Sequence, residues 1–183
     1  MKVLIPILIG LLIVGCGKKD DGNTGVVNPN KPSPKAVVEE AIRWSLAKTN
    51  VQLTKADLEK VTRLHLADNQ LTDVKELEKL TQLKYLYISG NQLTDVKGLE
   101  KLTQLKYLEL DGNQLTDVKE LEKLTQLEEL GLGDNKLTDV KGLENLTQLK
   151  ELNLENNPDL TKAQIAELQK ALPNCLILSN PKK

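Results

Sequence analysis

The chain has 183 residues, 39% of them hydrophobic but only 2% aromatic, and it contains no Phe. Leucine therefore carries the core, and a core built from one residue type points to a repeated unit rather than an ordinary globular centre. With 25 basic and 26 acidic residues, the formal net charge is −1. That balance supplies neither the basic stripe of a nucleic-acid binder nor a polybasic lipid patch.

Residues 1–15 read as a leader. Lys2 is followed by an apolar run from Val3 to Val14, the pattern of a secretory signal peptide. The run is shorter than the roughly 20 residues a spanning helix needs, and Pro6 interrupts it. The ending Ile13-Val14-Gly15-Cys16 resembles a bacterial lipobox. That resemblance implies cleavage before Cys16, a thioether-linked lipid on its thiol and a place in the bacterial cell envelope. It implies the outer membrane if the host has two. Two or more acyl chains hold a protein stably where one does not. Residues 17–34 are rich in Gly, Asn, Pro and charge and lack apolar periodicity. Segment 16–34 is expected to be a lipidated Cys and a flexible tether.

Residues 35–60 are expected to form an N-terminal helical cap. A helix from Lys35 to Lys48 places Val38, Ala41 and Ile42 on one face, and Trp44 is expected to join the core of the cap. Thr54 and Asp57 have the spacing of a capping box opening a second, short helix.

Residues 61–157 repeat. Asn69, Asn91, Asn113, Asn135 and Asn157 recur every 22 residues, within units of the form L-x-L-x-x-N-x-L-T-D-V-K-x-L-E-x-L-T-Q-L. L-x-L has the period of a strand with both leucines facing one side. The apolar residues Leu71, Val74, Leu77, Leu80 and Leu83 fall at three-residue steps, which suit a 3₁₀ or short α segment. One such coil cannot bury its apolar face alone, but stacked coils can. The Asn residues are expected to form a buried ladder that satisfies backbone groups. Asp73, Asp95, Asp117 and Asp139 form a second column, read as caps of the short helices, with calcium binding as the alternative. The residue after the following Lys alternates Glu76, Gly98, Glu120, Gly142, as a duplicated two-repeat block would.

This pattern resembles the leucine-rich repeat family, in its short 22-residue, internalin-like class. The resemblance covers about two thirds of the chain. It implies an α/β solenoid: a curved parallel sheet of about six short strands, 3₁₀ or short α segments on the convex side, and a helical N-terminal cap. Residues 158–183 are expected to close the far end. Thr161 and Gln164 repeat the capping device before a helix through Ala171, Pro173 stops it, and a last strand spans Leu176 to Leu178.

With the leucines inward, the residues around each L-x-L pair point out of the sheet. Strand by strand they are Arg63, His65, Ala67; Tyr85, Tyr87, Ser89; Tyr107, Glu109, Asp111; Glu129, Gly131, Gly133; Glu151, Asn153, Glu155; and, at the last strand, Cys175, Ile177, Ser179. All three Tyr and the single His fall on this face, which is aromatic at its N-terminal end and acidic at its C-terminal end. The candidate binding residues are Arg63, His65, Tyr85, Tyr87, Tyr107, Glu109, Asp111, Glu129, Glu151, Asn153 and Glu155. Tyrosine offers large rigid contact area at low entropic cost. Six strands about 4.8 Å apart give a sheet roughly 29 Å wide. Its face of roughly 450 Å² falls short of the about 800 Å² per partner of a standard interface. A protein, peptide or glycan ligand is expected. A structural, self-associating envelope protein is the alternative, which an exposed edge beyond residues 176–178 would favour. No enzyme is expected, because His65 has no Ser or Cys companion and Cys175 reads as inert. Neither a cofactor nor a metal is expected from one His and one further thiol.

Overall fold

The computed structural model describes residues 32–48 and 52–181. Contacts group the chain into Met1–Lys31 and Pro32–Lys183, and the fold described is that of the second unit. The leader, Cys16 and the tether through 31 lie outside the described residues.

The described chain opens with helix α1 (Pro34–Ser45) and the single-turn α2 (Lys55–Leu58). Five short strands follow, β1 (Arg63–His65), β2 (Tyr85–Tyr87), β3 (Tyr107–Glu109), β4 (Glu129–Gly131) and β5 (Glu151–Asn153). They alternate with 3₁₀ turns at Lys75–Lys79, Leu99–Lys101, Lys119–Lys123 and Leu143–Asn145. Helix α3 (Lys162–Ala171) and strand β6 (Leu176–Leu178) close the chain. The strands pair in parallel in chain order, β1-β2-β3-β4-β5-β6, in a curved open sheet. Each of β1 to β4 pairs with residues 22 positions on, as Leu64 does with Leu86 and Leu86 with Leu108. The expected leucine-rich-repeat solenoid is the architecture found.

The core is a stack of leucines. In the third coil Leu108, Leu110, Leu115, Val118, Leu121, Leu124 and Leu127 are all buried, and neighbouring coils repeat the set. A strand alternating in and out and a 3₁₀ turn with an apolar residue every third position face one interior line.

The Asn ladder carries the turn between them. Asn113 Oδ1 accepts from Leu93 N–H at 3.1 Å, while Nδ2 donates to Leu110 O at 2.9 Å and to Ile88 O of the preceding coil at 3.2 Å. Asn91, Asn135 and Asn157 repeat this geometry and are buried. Asn69 departs from expectation: it is exposed, and its side chain donates only to Ala67 O at 2.7 Å. Each rung reaches back one coil, and no full coil precedes Asn69.

The Asp column corrects the expectation of helix caps: none of the four 3₁₀ turns has a side-chain cap bond, and the Asp bonds close a local turn before them instead. Asp73, Asp95, Asp117 and Asp139 each accept, through Oδ1, from the N–H two residues on. The Glu/Gly alternation beside it has a conformational meaning. The Glu coils form five-residue 3₁₀ turns, whereas Gly98 and Gly142 have φ of 104° and 92° and the following turns have three residues. A Cβ at Gly98 would lie 3.2 Å from Lys75 Cα and 3.3 Å from Val74 O. Gly98→Glu is therefore expected to destabilise the fold by roughly 1–2 kcal/mol, the cost of left-handed backbone in an L-residue. Glu120→Gly should cost less, and chemical denaturation of both variants compares them.

At the N-terminus, α1 starts on a Ser33 cap, with Pro34 in its first turn, and buries Val38 and Ile42 against the first coil. Trp44 corrects the expectation: it is 77% exposed. It lies two residues beyond Ile42, roughly 200° round a helix of 3.6 residues per turn, and so on the opposite face. The helix also stops earlier than expected, where Ala47 turns left-handed at φ 51°.

The Thr54–Asp57 capping box is present, and it buries a charge. Asp57 accepts from Lys48 Nζ at 2.7 Å, from Thr54 N–H at 3.0 Å and from Thr54 Oγ1 at 2.8 Å. The Lys48 bond first, then the Thr54 bonds, hold its carboxyl well below the usual carboxylate range. A depressed pKa in the folded state contributes stability above the unfolded value of about 3.9, and that contribution fades as pH falls through the folded one. Asp57→Asn is thus expected to flatten the loss of stability between about pH 5 and pH 2, read from urea midpoints.

The last strand corrects the expected register. Leu152 pairs with Ile177, a 25-residue step, and Leu176 N–H donates to Lys150 O at 2.8 Å. Ile177 therefore takes the inner place. Leu176 and Leu178 face outward, 58% and 36% exposed, and Cys175 is buried. A one-residue shift exchanges the faces of a strand, and α3, which interrupts the repeat, introduces that shift. The outward row Cys175, Ile177, Ser179 expected from the sequence is replaced by Leu176 and Leu178.

Candidate binding face

Strand register fixes the outward rows of the sheet. One row runs Arg63, Tyr85, Tyr107, Glu129, Glu151, Leu176, and the next runs His65, Tyr87, Glu109, Gly131, Asn153, Leu178. The rows interlock through their rings. The Arg63 guanidinium lies 4.5 Å over the Tyr85 ring. His65 stacks on Tyr87 with centroids 4.4 Å apart and planes within 6°. Tyr87 meets Tyr107 at 4.9 Å and a 37° tilt from the other side. Strand β2 lies between β1 and β3, so Tyr87 is held between its two ring neighbours.

These contacts set the protonation states. Burial and the Arg63 charge lower the His65 pKa, against a smaller opposing pull from Glu109. A neutral imidazole stacked on Tyr87 is the favoured form near neutrality. Burial first, then the Glu109 charge, pushes Tyr107 up to about 12. Its phenol keeps its proton and donates to Glu109 Oε2 at 3.3 Å.

The acidic half is not a row of independent carboxylates. Asp111 Oδ1 accepts from Gly133 N–H at 2.8 Å and from Asn153 Nδ2 at 2.8 Å, reaching 42 residues along the chain. Asn153 is oriented in turn, because its Oδ1 accepts from Glu155 N–H at 3.0 Å. Burial raises the Asp111 pKa, helped by Glu109 and opposed by the Gly133 and Asn153 bonds. The space for this reach comes from glycine: a Cβ at Gly131 would lie 2.1 Å from Asp111 Oδ2, and one at Gly133 2.6 Å from Asn153 Nδ2. Glu151 and Glu155 remain exposed at the far end.

The structure thus brings Arg63, His65, Tyr85, Tyr87 and Tyr107 into one interlocked array, and Asp111 and Asn153 into a second. It offsets Glu109 from Glu129, since Tyr107 is the register partner of Glu129 and Gly131 that of Glu109. Leu176 and Leu178, which sequence reasoning placed inward, extend the face by an apolar margin. The sequence signal for them was the broken 22-residue step. Just outside the face, Glu128 bridges Lys106 at 2.7 Å and Lys150 at 2.6 Å, and those bonds hold its carboxyl down to about 2. Burial raises the pKa of the Cys175 thiol, so it carries little of the thiolate that reactivity requires. Among the described residues no group of three or more His, Cys, Asp or Glu is arranged to hold a metal ion.

The family profile described as Leucine Rich repeats (2 copies) matches four overlapping stretches, residues 59–101, 81–124, 103–144 and 125–174. The chain belongs to the leucine-rich repeat family. Among solved structures it is similar to an internalin, inlF, of Listeria monocytogenes, with 31% identity and a TM-score of 0.73. The match covers 86% of this chain and 49% of that one. It is also similar to a leucine-rich-repeat protein of Leptospira interrogans, with 32% identity, a TM-score of 0.61, and 71% and 34% of the two chains covered. The chain thus spans about half the length of the first and a third of the second. No curated protein matches it. Leucine-rich-repeat proteins act in general as protein-interaction modules and are typically not catalysts.

Proposed function

We propose that this leucine-rich-repeat chain is a non-catalytic recognition module, anchored to a bacterial envelope membrane through Cys16, that binds a protein, peptide or glycan on its concave face. The carrying observation is where variation falls. Coil after coil repeats the same leucines and the same Asn, while the outward strand positions differ and gather all three Tyr and the single His. A scaffold needs none of those rings for its core, which is mostly leucine with some valine and isoleucine and contains no aromatic residue. The interlocked array of Arg63, His65, Tyr85, Tyr87 and Tyr107 offers a rigid contact surface with its rotamers already ordered, which lowers the entropic cost of association. The lipid anchor is supported by the leader pattern and the position of Cys16 within it.

The test is capture of partners from the native envelope by the full chain, with Tyr85, Tyr87 and Tyr107 changed together to Ser in parallel. Loss of a specific partner is expected, and a partner set unchanged by the triple substitution overturns the reading. Mass spectrometry of membrane-extracted protein checks the anchor: unmodified Cys16 refutes it. The second reading, a self-associating structural protein, is favoured by one observation, the open β6 edge with Leu176 and Leu178 exposed beside it. Recovery of only further copies of the chain would support that reading instead.

A further inference from the structure

Between β3 and β5 the concave face is hollowed. One coil, the fourth, has glycine at two successive outward positions, Gly131 and Gly133, where the other coils of the repeat carry side chains at both. Neither glycine has the positive φ that would require it. Glycine within a strand weakens it and often marks a place another group approaches closely. The space over Gly131 is partly taken by the Asp111 carboxylate, pinned by Gly133 and Asn153. What remains is a hollow of about 160 Å³ walled by Tyr107 and bordered by Glu109, Glu129 and Glu151. That volume is well below the roughly 300–1,000 Å³ of small-molecule sites and suits the end of one side chain.

We infer that this hollow is the subsite in which a lysine or arginine side chain of a polypeptide ligand is seated, with its charge against Asp111 and its stem along Tyr107. The inference rests on the reading that the concave face is the binding surface, and it names the chemistry of the partner there. Three features converge on a cation. Among the described residues, none of Glu109, Asp111, Glu129 and Glu151 has a basic group within ion-pair distance, while the nearby Lys106 and Lys150 are both committed to Glu128. Four carboxylates left without counter-charges repel one another, and an entering cation relieves that repulsion. Tyr107 adds a ring. Its neighbour Tyr87 is stacked from both sides and Tyr85 carries Arg63, whereas Tyr107 borders the hollow as well as meeting Tyr87. A cation over a tyrosine ring is the arrangement that Arg63 and Tyr85 already display within the chain.

The experiment titrates ¹⁵N-labelled full-length protein in detergent with the tripeptides Gly-Arg-Gly, Gly-Lys-Gly and Gly-citrulline-Gly, and follows the amides of Gly131 and Gly133. Saturable shifts are expected with the first two, and at least tenfold weaker binding with citrulline, which is neutral but similar in shape. Asp111→Asn should weaken arginine binding by a similar factor, and Glu122→Gln on the convex side should leave it unchanged. If Asp111→Asn fails to fold, Glu129→Gln and Glu151→Gln carry the same comparison. Equal binding of citrulline overturns the inference. So does arginine binding that no hollow carboxylate affects, or shifts at these amides with a neutral hexose but not with the peptides. Silent peptides together with a partner still lost in the Tyr85, Tyr87, Tyr107 variant would sink this inference and leave the concave-face reading standing. The reverse pattern would remove the recognition reading and leave only a cation-binding hollow.

Discussion

Replacing Asn135 by Ala is expected to lower stability by about 3 kcal/mol, while the same change at Asn69 should stay within about 0.5 kcal/mol. The two residues occupy the same place in the repeat, so the difference tests the ladder itself. Asn135 accepts from Leu115 N–H at 3.0 Å and donates to the oxygens of Leu110, Leu132 and Gly133. The carbonyl oxygens have second donors: Asn113 also reaches Leu110 O, Asn157 reaches Leu132 O, and Gly112 N–H reaches Gly133 O. The Leu115 N–H has no such alternative, and an orphaned buried donor costs about 1–3 kcal/mol before the lost bonds are added. Asn69 is exposed with one bond to Ala67 O, which water can replace. Urea denaturation of both variants checks this. An Asn135→Ala effect below about 1 kcal/mol would show that the ladder is not a stabilising element.

Leu108→Ala should cost about 2–5 kcal/mol, and Leu176→Ser less than about 0.5 kcal/mol. Leu108 is 1% exposed and lies in register between Leu86 and Leu130. No neighbouring coil can close over the cavity without breaking its own pairing. Domains are stable by only about 5–15 kcal/mol, so one such cavity removes a large fraction. Because a repeat touches only its neighbours, a weakened central coil should also broaden the transition, as the two halves lose their coupling. Leu176 belongs to the same kind of sequence pattern, and an inward Leu176 would behave like Leu108. At 58% exposure it should tolerate Ser. A loss of several kcal/mol at Leu176 would reinstate the inward register that the leucine pattern suggests.

Local signals and their period made most of the fold legible. The 22-residue recurrence gave the coils, L-x-L gave strand faces, and Thr54–Asp57 and Thr161–Gln164 gave helix starts that form as capping boxes. These signals act within a few residues, or by strict repetition, so no knowledge of the packed chain was needed. The candidate face followed by alternation, which placed Tyr85, Tyr87 and Tyr107 outward correctly. Errors came where the repeat ends. Hydrophobicity alone places Trp44 inward, although Val38 and Ile42 already fill the buried face of α1. The repeat pattern places Leu176 and Leu178 inward, because every other leucine among the described residues is buried or partly buried.

The recognition surface divides along the same line. That an aromatic group is followed by an acidic one along a single sheet face is determined by the amino-acid sequence, since period-two alternation and a constant repeat place the outward residues of β1 to β5. Which of those residues act together was decided only by the tertiary structure. Asp111 meets Asn153 across 42 residues because two glycines clear the way, and His65, Tyr87 and Tyr107 meet because successive coils bring them side by side. The terminal rows were likewise decided by packing. At the ends of a solenoid no further coil imposes the register, so α3 and the pairing of Ile177 with Leu152 determine which side chains water sees.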